Sequence, residues 1–176
     1  MAIKVAQFLD VSHGLQAKQF SVGSHDSLNS LDDLDPKYKM LLDSGKVHAN
    51  FGVIGNDGTI NLTPMWFDYE ADKVLVNVAM QRKKVEWIRK NPRLTILLVN
   101  PEQMYHWVSI HCHVEREILE DDPEQGSKVT AQLDKIWTKY TGNEPPYGLR
   151  DPSMDERRVL FVCDIDRIAT FGEPPA

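Results

Sequence analysis

The strongest constraint on the fold lies between Thr59 and Val99, where two strand-like runs joined by a turn precede a short helix and a third strand. Arg82, Lys83 and Lys84 fall in the first turn of that helix. A helix N-terminus carries a partial positive charge, so each cation there costs roughly 0.3–1 kcal/mol. Free helix N–H groups beside three cations form a good phosphate site. The pattern therefore predicts an anion site, and the alternative is a solvated basic face without a ligand.

The remaining chain reads mainly as strands with two further helices. Asp35-Pro36 predicts the start of a helix that stops at Gly45. Asp122-Pro123 opens an amphipathic helix to about Tyr140, whose inward side chains are predicted to be Val129, Leu133, Ile136 and Trp137. Successive strands with hairpin links predict an α+β, mainly β fold, a closed antiparallel barrel with capping helices. We assign residues 1–35 to an N-terminal extension and 36–176 to a single domain, since 176 residues suit one core.

Two of the predicted strands have informative faces. The run from Thr59 to Phe67 alternates in polarity, and Pro64 within it predicts an edge or bulged strand because proline cannot donate to a ladder. The run from Trp107 to Glu117 is the longest candidate. One face is apolar and predicts core, with Val108, Ile110, Cys112 and Val114. The other face is polar and aromatic, with Trp107, Ser109, His111 and His113, and is too rich in large groups for plain solvent surface.

Composition excludes several classes of protein. The formal net charge of -6 argues against nucleic acid or an anionic membrane as a partner. No run approaches the ~20 apolar residues that span a bilayer. The first residues lack the continuous apolar stretch of a signal peptide. Cys112 and Cys163 are therefore expected to be reduced core residues of a cytoplasmic protein.

The motifs of common catalytic sites are missing. The sequence contains no G-x-S-x-G motif and no Walker-type loop, so it gives no support for an α/β-hydrolase or a P-loop nucleotide-binding protein. His111 and His113 share a strand face and suit zinc, but no other ligands stand at metal-site spacing, and we predict no metal. His106 is either an acid or base or, more commonly for such a position, an exposed loop histidine. No catalytic residue is assigned.

Three segments carry a resemblance to a known family. They read TPMWFDYEADKVLVNVA, QRKKVEWIRKNPRLTILLV and YHWVSIHCHVEREILED. In order and spacing the chain resembles the pyridoxamine 5′-phosphate oxidase-like flavin-binding split-barrel family from Lys37 to Phe171. It is most similar to the branch that uses the deazaflavin coenzyme F-420. The resemblance implies a six-stranded split β-barrel and a homodimer with two flavin sites at the subunit interface.

The family pattern also implies cofactor-binding positions. One strand lies with its backbone along the flavin ring, and the next lies at the ribityl chain and phosphate. A basic pair with a neighbouring arginine holds the phosphate, and an interface strand approaches from the partner subunit. In the same order these positions are Thr63, Pro64, Met65 and Trp66; Asn77, Val78 and Ala79; Lys83 and Lys84 with Arg82; and Trp107 with Ser109.

Departures from the family pattern narrow the expected activity. Gln81 replaces the small residue usual before the basic run, and His111-Cys112 replaces an arginine-glycine pair. The C-terminal tryptophan-arginine signature of pyridoxine-phosphate oxidases is absent, which argues against vitamin B6 oxidation. We expect hydride transfer to a small organic acceptor, with coenzyme F-420 favoured over FMN. The alternative is a flavin- or haem-binding protein without turnover.

Overall fold

The computed structural model describes residues 2–9, 21–151 and 153–175; residues 10–20 of the predicted extension lie outside that range. The described residues form nine strands and three α-helices. In chain order they are β1 (Ile3–Leu9), β2 (Ser21–Leu28), α1 (Pro36–Asp43), β3 (Ala49–Ile54), β4 (Ile60–Met65), β5 (Asp68–Glu70), β6 (Lys73–Ala79), α2 (Lys83–Lys90), β7 (Arg93–Asn100), β8 (Gln103–Leu119), α3 (Gly126–Thr141) and β9 (Arg158–Phe171). The α+β, mainly β class is confirmed.

All nine strands belong to one sheet, and β9 lies at its centre. One edge of β9 pairs with β8. The other edge pairs with β6 over residues 158–164 and with β1 over residues 167–171. Beyond β8 the sheet continues through β7 and β3 to β4. The β1–β9 pair is parallel and the other pairs are antiparallel.

The closed barrel of six antiparallel strands is not confirmed. Across the described residues no ladder joins β4 to β6, so the sheet remains open. The antiparallel pair of β1 and β2 also extends the sheet beyond six strands. Strand β2 was not predicted from the sequence, because its run SVGSHDSL lacks the apolar alternation of a half-buried strand. The domain boundary at residue 36 stays a prediction, although Ile3 and Val5 of β1 are buried in the core.

Helix α1 begins as its sequence predicts. The Asp35 side chain accepts a hydrogen bond from the Lys37 N–H at 3.0 Å, and Pro36 occupies the first turn. The interpretation of His106 as an exposed loop residue is wrong, because this side chain lies in β8 and is fully buried. Its Nε2 lies 2.8 Å from the Lys37 carbonyl oxygen, which joins β8 to α1.

The strand predictions are largely confirmed. Strand β4, which carries Pro64, ends the sheet path and is therefore an edge strand. The hairpin before it turns at Gly58, whose φ of 82° suits glycine. In β8 the predicted apolar face is buried at Val108, Ile110 and Cys112, and its fourth member, Val114, is only partly buried. Cys112 and Cys163 are both free and buried.

Helix α3 crosses one face of the sheet over β6, β8 and β9. It begins at Gly126 rather than at Asp122, because Asp122 Oδ1 accepts from the N–H groups of Glu124 and Gln125, each at 2.9 Å, and forms a turn instead. Val129, Leu133 and Ile136 are buried as predicted, whereas Trp137, also predicted to face inward, is only partly buried. The helix separates two cavities on this face, described below. No helix among the described residues is long and apolar enough to cross a membrane.

Candidate functional site

A cavity of about 590 Å³ opens between β4, the end of β6, the start of α2, helix α3 and the loop before β9. Nine of the twelve sequence-predicted positions line it. They are Thr63, Pro64, Met65, Trp66, Asn77, Val78, Ala79, Arg82 and Lys84. Both β4 and β6 thus border one cavity at the place where no ladder joins them. Its volume is in the usual range for small-molecule and cofactor sites, roughly 300–1,000 Å³.

Lys84 supplies an uncompensated charge at this cavity. Its Nζ donates to Thr63 Oγ1 at 2.6 Å and lies 3.4 Å from Met65 Sδ. Among the described residues Lys84 forms no ion pair with a carboxylate. Burial lowers its pKa, and the nearby Arg82 lowers it further. A half-buried ammonium group without a counter-charge is well suited to bind an anion.

In the basic triplet Arg82–Lys84, the first and third residues line the cavity and the second faces solvent. Arg82 is the N-cap residue of α2 rather than a first-turn residue, and its side chain makes no capping hydrogen bond. Lys83 does not line the cavity. Its side chain is 76% exposed, and its Nζ lies 3.4 Å from Glu86 Oε2. The structure therefore brings Arg82 and Lys84 together and leaves Lys83 outside.

The opposite wall of the cavity contains polar atoms without partners. Asn77 is buried, and its Nδ2 donates to the Val129 carbonyl at 3.0 Å, while its Oδ1 has no partner in the part of the chain that the structure describes. The Arg158 guanidinium lies 2.5 Å from a Glu156 carboxylate oxygen and donates to the Tyr147 hydroxyl at 3.2 Å. Its Nε has no partner among the described residues. Buried polar atoms are normally hydrogen-bonded, so these two fit a polar ligand in the cavity.

Aromatic side chains make one side of the cavity rigid. Trp66 stacks on Tyr140 with ring centroids 5.3 Å apart and planes 4° from parallel, and Tyr147 meets Trp66 edge-on. Tyr140 accepts from the Phe67 N–H at 2.9 Å and donates to the Val47 carbonyl at 3.0 Å. Burial raises the pKa of Tyr140, so its hydroxyl stays protonated and keeps both bonds.

Several cavity residues were missed by the sequence reasoning. They are His48, Leu133, Ile136, Tyr147, Leu149, Glu156 and Arg158. Leu133 and Ile136 were predicted as helix core, and the cavity uses part of the same apolar face. Tyr147, Leu149 and Glu156 lie in an irregular loop rich in proline and glycine, where no periodic pattern indicates which side chains turn inward.

Trp107 and Ser109 lie away from the cavity, on β8. Trp107 packs against Phe171 with ring centroids 5.8 Å apart. Farther along the same face, His113 Nδ1 lies 2.8 Å from Asp166 Oδ1. Burial lowers the pKa of His111, and Arg167 lowers it further. Over the described residues, no three His, Cys, Asp or Glu side chains form a candidate metal site.

Known proteins resemble this chain in fold. No protein-family model matches it, and no curated protein sequence does. An F-420 reductase superposes with a TM-score of 0.61 at 19% identity, covering 77% of this chain and 98% of that one. HutZ, the haem storage protein from Vibrio cholerae, reaches 0.56 at 14% identity, covering 80% and 96%. General Stress Protein 26 from Bacillus anthracis str. Sterne reaches 0.52 at 19% identity, covering 78% and 93%. The sequence-based resemblance is thus confirmed at the level of the fold.

Proposed function

We propose that this chain binds a flavin-type cofactor in the cavity between β4 and β6 and uses it to transfer a hydride to a small organic acceptor. The main support is the uncompensated ammonium group of Lys84, in a cavity lined by nine residues predicted from the family pattern. The fold shared with an F-420 reductase agrees with this proposal. Six of the strands, β3, β4 and β6–β9, pair only antiparallel with one another, and we propose that they are the split barrel of the family.

The residues present fit such a cofactor. Arg82 and Lys84 suit its phosphate, while Asn77 Oδ1 and Arg158 Nε suit polar groups of its chain or ring. When bound, a flavin or deazaflavin supplies the hydride chemistry itself. The contribution of the protein is to orient the ligand between the rigid Trp66–Tyr140 pair and the apolar face of α3, and to exclude water. No side chain is assigned as a catalytic acid.

Between the two cofactors we propose coenzyme F-420. Both offer a tricyclic ring and a phosphate, but F-420 adds an acidic tail beyond the phosphate. Arg82 is exposed at the cavity and has no carboxylate partner in the described part of the chain, so its guanidinium, which carries five N–H donors, can bind the phosphate with some donors and a carboxylate of the tail with others. Titration of the apo-protein with each cofactor, followed by fluorescence, should give the lower Kd for F-420. Tight FMN binding without detectable F-420 binding would reverse the choice and leave the phosphate site standing.

We further propose a cytoplasmic homodimer in which Trp107 and Ser109 approach the partner's cofactor. Exposed Ile60 and Leu62, 67% and 68% accessible, lie near the His111 face around a second cavity of about 890 Å³. Apolar side chains of this size are often covered by a partner. Analytical ultracentrifugation at micromolar concentration should give a single dimeric species. A monomer near 20.1 kDa would contradict both the interface and the shared cofactor site.

A second candidate function is binding or storage of a flavin or haem without turnover. The fold likeness to a haem storage protein favours it, and His48 at the cavity wall could supply an imidazole nitrogen to a haem iron. Absorbance titrations with haemin, FMN and F-420 separate the two functions. Stoichiometric haemin binding that is lost in His48→Ala, without comparable flavin binding, would support the storage function.

A further inference from the structure

Helix α3 has a second cavity on its other side, which we call the α3 groove. It has a volume of about 690 Å³ and is bordered by Lys128, Ala131, Gln132 and Lys135 of α3. Its floor is one row of the sheet, in which residues of β8, β9, β6 and β5 stand side by side. In that order they are Arg116, Val162, Leu75 and Asp68. The next row, Ile118 and Leu160, adds further apolar floor next to the helix.

Gln132 brings to this groove a buried hydrogen-bond acceptor that has no donor among the described residues. Its side chain is 6% exposed, and its Nε2 donates to Asp68 Oδ2 at 3.2 Å. A carboxylate only accepts hydrogen bonds, so this contact fixes which end of the amide faces Asp68. The Gln132 Oε1 atom then has no partner among the described residues. A buried amide oxygen without a donor is uncommon in a folded protein, and a ligand that donates a hydrogen bond would satisfy it.

The charges of the groove separate into an end at β5, where lysines are paired with carboxylates and Glu70 and Asp72 add negative charge, and a positive end at β8 and the start of α3. Lys135 Nζ lies 2.7 Å from Asp68 Oδ1, and Lys73 is bound by Asp164 and, at 3.2 Å, by Glu115. In contrast, Arg116 and Lys128 are exposed and form no ion pair within the described residues. They extend from different elements, β8 and α3, toward the same groove. An anionic group between them would be bound from both sides.

We propose that the α3 groove binds a small organic anion that has an apolar body and a hydrogen-bond donor. Its anionic group lies between Arg116 and Lys128, its body covers Val162 and Leu75, and its donor bonds Gln132 Oε1. Pockets of this size with an apolar floor and a few convergent polar groups are typical small-molecule sites. The groove is separated by α3 from the cavity proposed for the cofactor, so this inference does not depend on the proposed function.

The probe for this site is 6-hydroxy-2-naphthoate, which carries a carboxylate, a flat apolar body and a hydroxyl donor. Titration calorimetry with the wild-type chain should give saturable binding. The double variant Arg116→Gln/Lys128→Gln should weaken it at least tenfold, because charge-assisted bonds are lost. The matched control is Lys46→Gln/Lys90→Gln, which removes the same charge from two exposed lysines outside the groove. Equal losses in both variants, or no saturable binding to the wild type, would refute the proposal.

Two further measurements assign the contacts. The analogue 6-methoxy-2-naphthoate lacks the donor and should bind three- to tenfold more weakly, as expected for one lost hydrogen bond. Equal affinity for the hydroxy and methoxy compounds would show that Gln132 Oε1 does not accept a hydrogen bond from the ligand. Lys84→Ala should leave naphthoate binding unchanged, and loss of binding there would assign the probe to the cofactor cavity instead. If the wild type binds naphthoate but neither flavin, the proposed function fails and the groove proposal stands.

Discussion

Replacing Arg82 and Lys84 together with alanine is expected to weaken binding of FMN and of coenzyme F-420 by on the order of a hundredfold or more. Each cation is expected to form a charge-assisted hydrogen bond to the phosphate, and such bonds contribute roughly 1.5–3 kcal/mol. Lys84 lies inside the cavity without a carboxylate partner among the described residues, and Arg82 lies at its edge. Fluorescence titration of the apo-protein measures the change in Kd.

Lys83→Ala provides the matched control for that experiment. Lys83 is adjacent in sequence and equally charged, but it pairs with Glu86 and lies outside the cavity. Its replacement should change Kd less than threefold, although the family pattern alone assigns it to the phosphate. Comparable increases in Kd for Lys83→Ala and Lys84→Ala would mean that the anion is bound by long-range electrostatic attraction to the basic triplet and not by contacts inside the cavity. The apo-protein itself should lose little stability, because the ammonium group of Lys84 is partly desolvated.

Replacing His106 with leucine is expected to lower the free energy of unfolding by about 2–4 kcal/mol. The side chain is fully buried, and its Nε2 donates to the Lys37 carbonyl at 2.8 Å. Its Nδ1 accepts from Asn100 Nδ2 at 3.1 Å. Leucine would leave both partners unsatisfied, at about 1–3 kcal/mol for each buried group. His106→Gln, which keeps a donor and an acceptor, should cost less in urea denaturation. If both variants lose the same free energy of unfolding, the loss comes from altered packing and not from the missing hydrogen bonds.

The same histidine should make stability depend on pH. Burial lowers the pKa of His106 below its ordinary value of 6.5. Above pH 6.5 the side chain is neutral in both the folded and the unfolded chain, so its contribution to stability is complete. As the pH falls below 6.5 the unfolded chain takes up the proton first, and stability decreases until the lower folded pKa is reached. The slope of unfolding free energy against pH between 4 and 7 should therefore be smaller in His106→Gln than in the wild type. Identical slopes would contradict the buried neutral state.

Local sequence signals predicted the elements that depend on short-range chemistry. Asp35-Pro36 predicted the start of α1, Pro64 predicted an edge strand, and alternation predicted the buried face of β8. The cavity positions in β4 and β6 came from the family pattern, and the structure brings them to one cavity.

What the sequence did not predict depends on contacts between distant segments. Tyr147 is oriented by Asp134 of α3, whose carboxylate accepts from its N–H at 2.8 Å. Arg158 reaches the cavity because it stands opposite Ala79 in the β6–β9 ladder. The polar strand β2 is paired along β1, not formed by an apolar pattern of its own. Lys83 and Lys84 are neighbours in sequence, yet the helix geometry directs only one of them into the cavity.

The central position of β9 has a consequence for how this chain reaches its folded state. Within the described residues β9 pairs with β1, β6 and β8, all of which precede it in the chain, and the β1–β9 ladder joins Lys4 to Arg167. During synthesis the earlier strands emerge first, at roughly 5–20 residues per second, and their edges stay unpaired until β9 follows. Pairing between such distant residues also slows folding, because the intervening chain must first be closed into a loop. A ribosome-bound chain that lacks β9 therefore has exposed strand edges, and chaperone protection matters most in that interval.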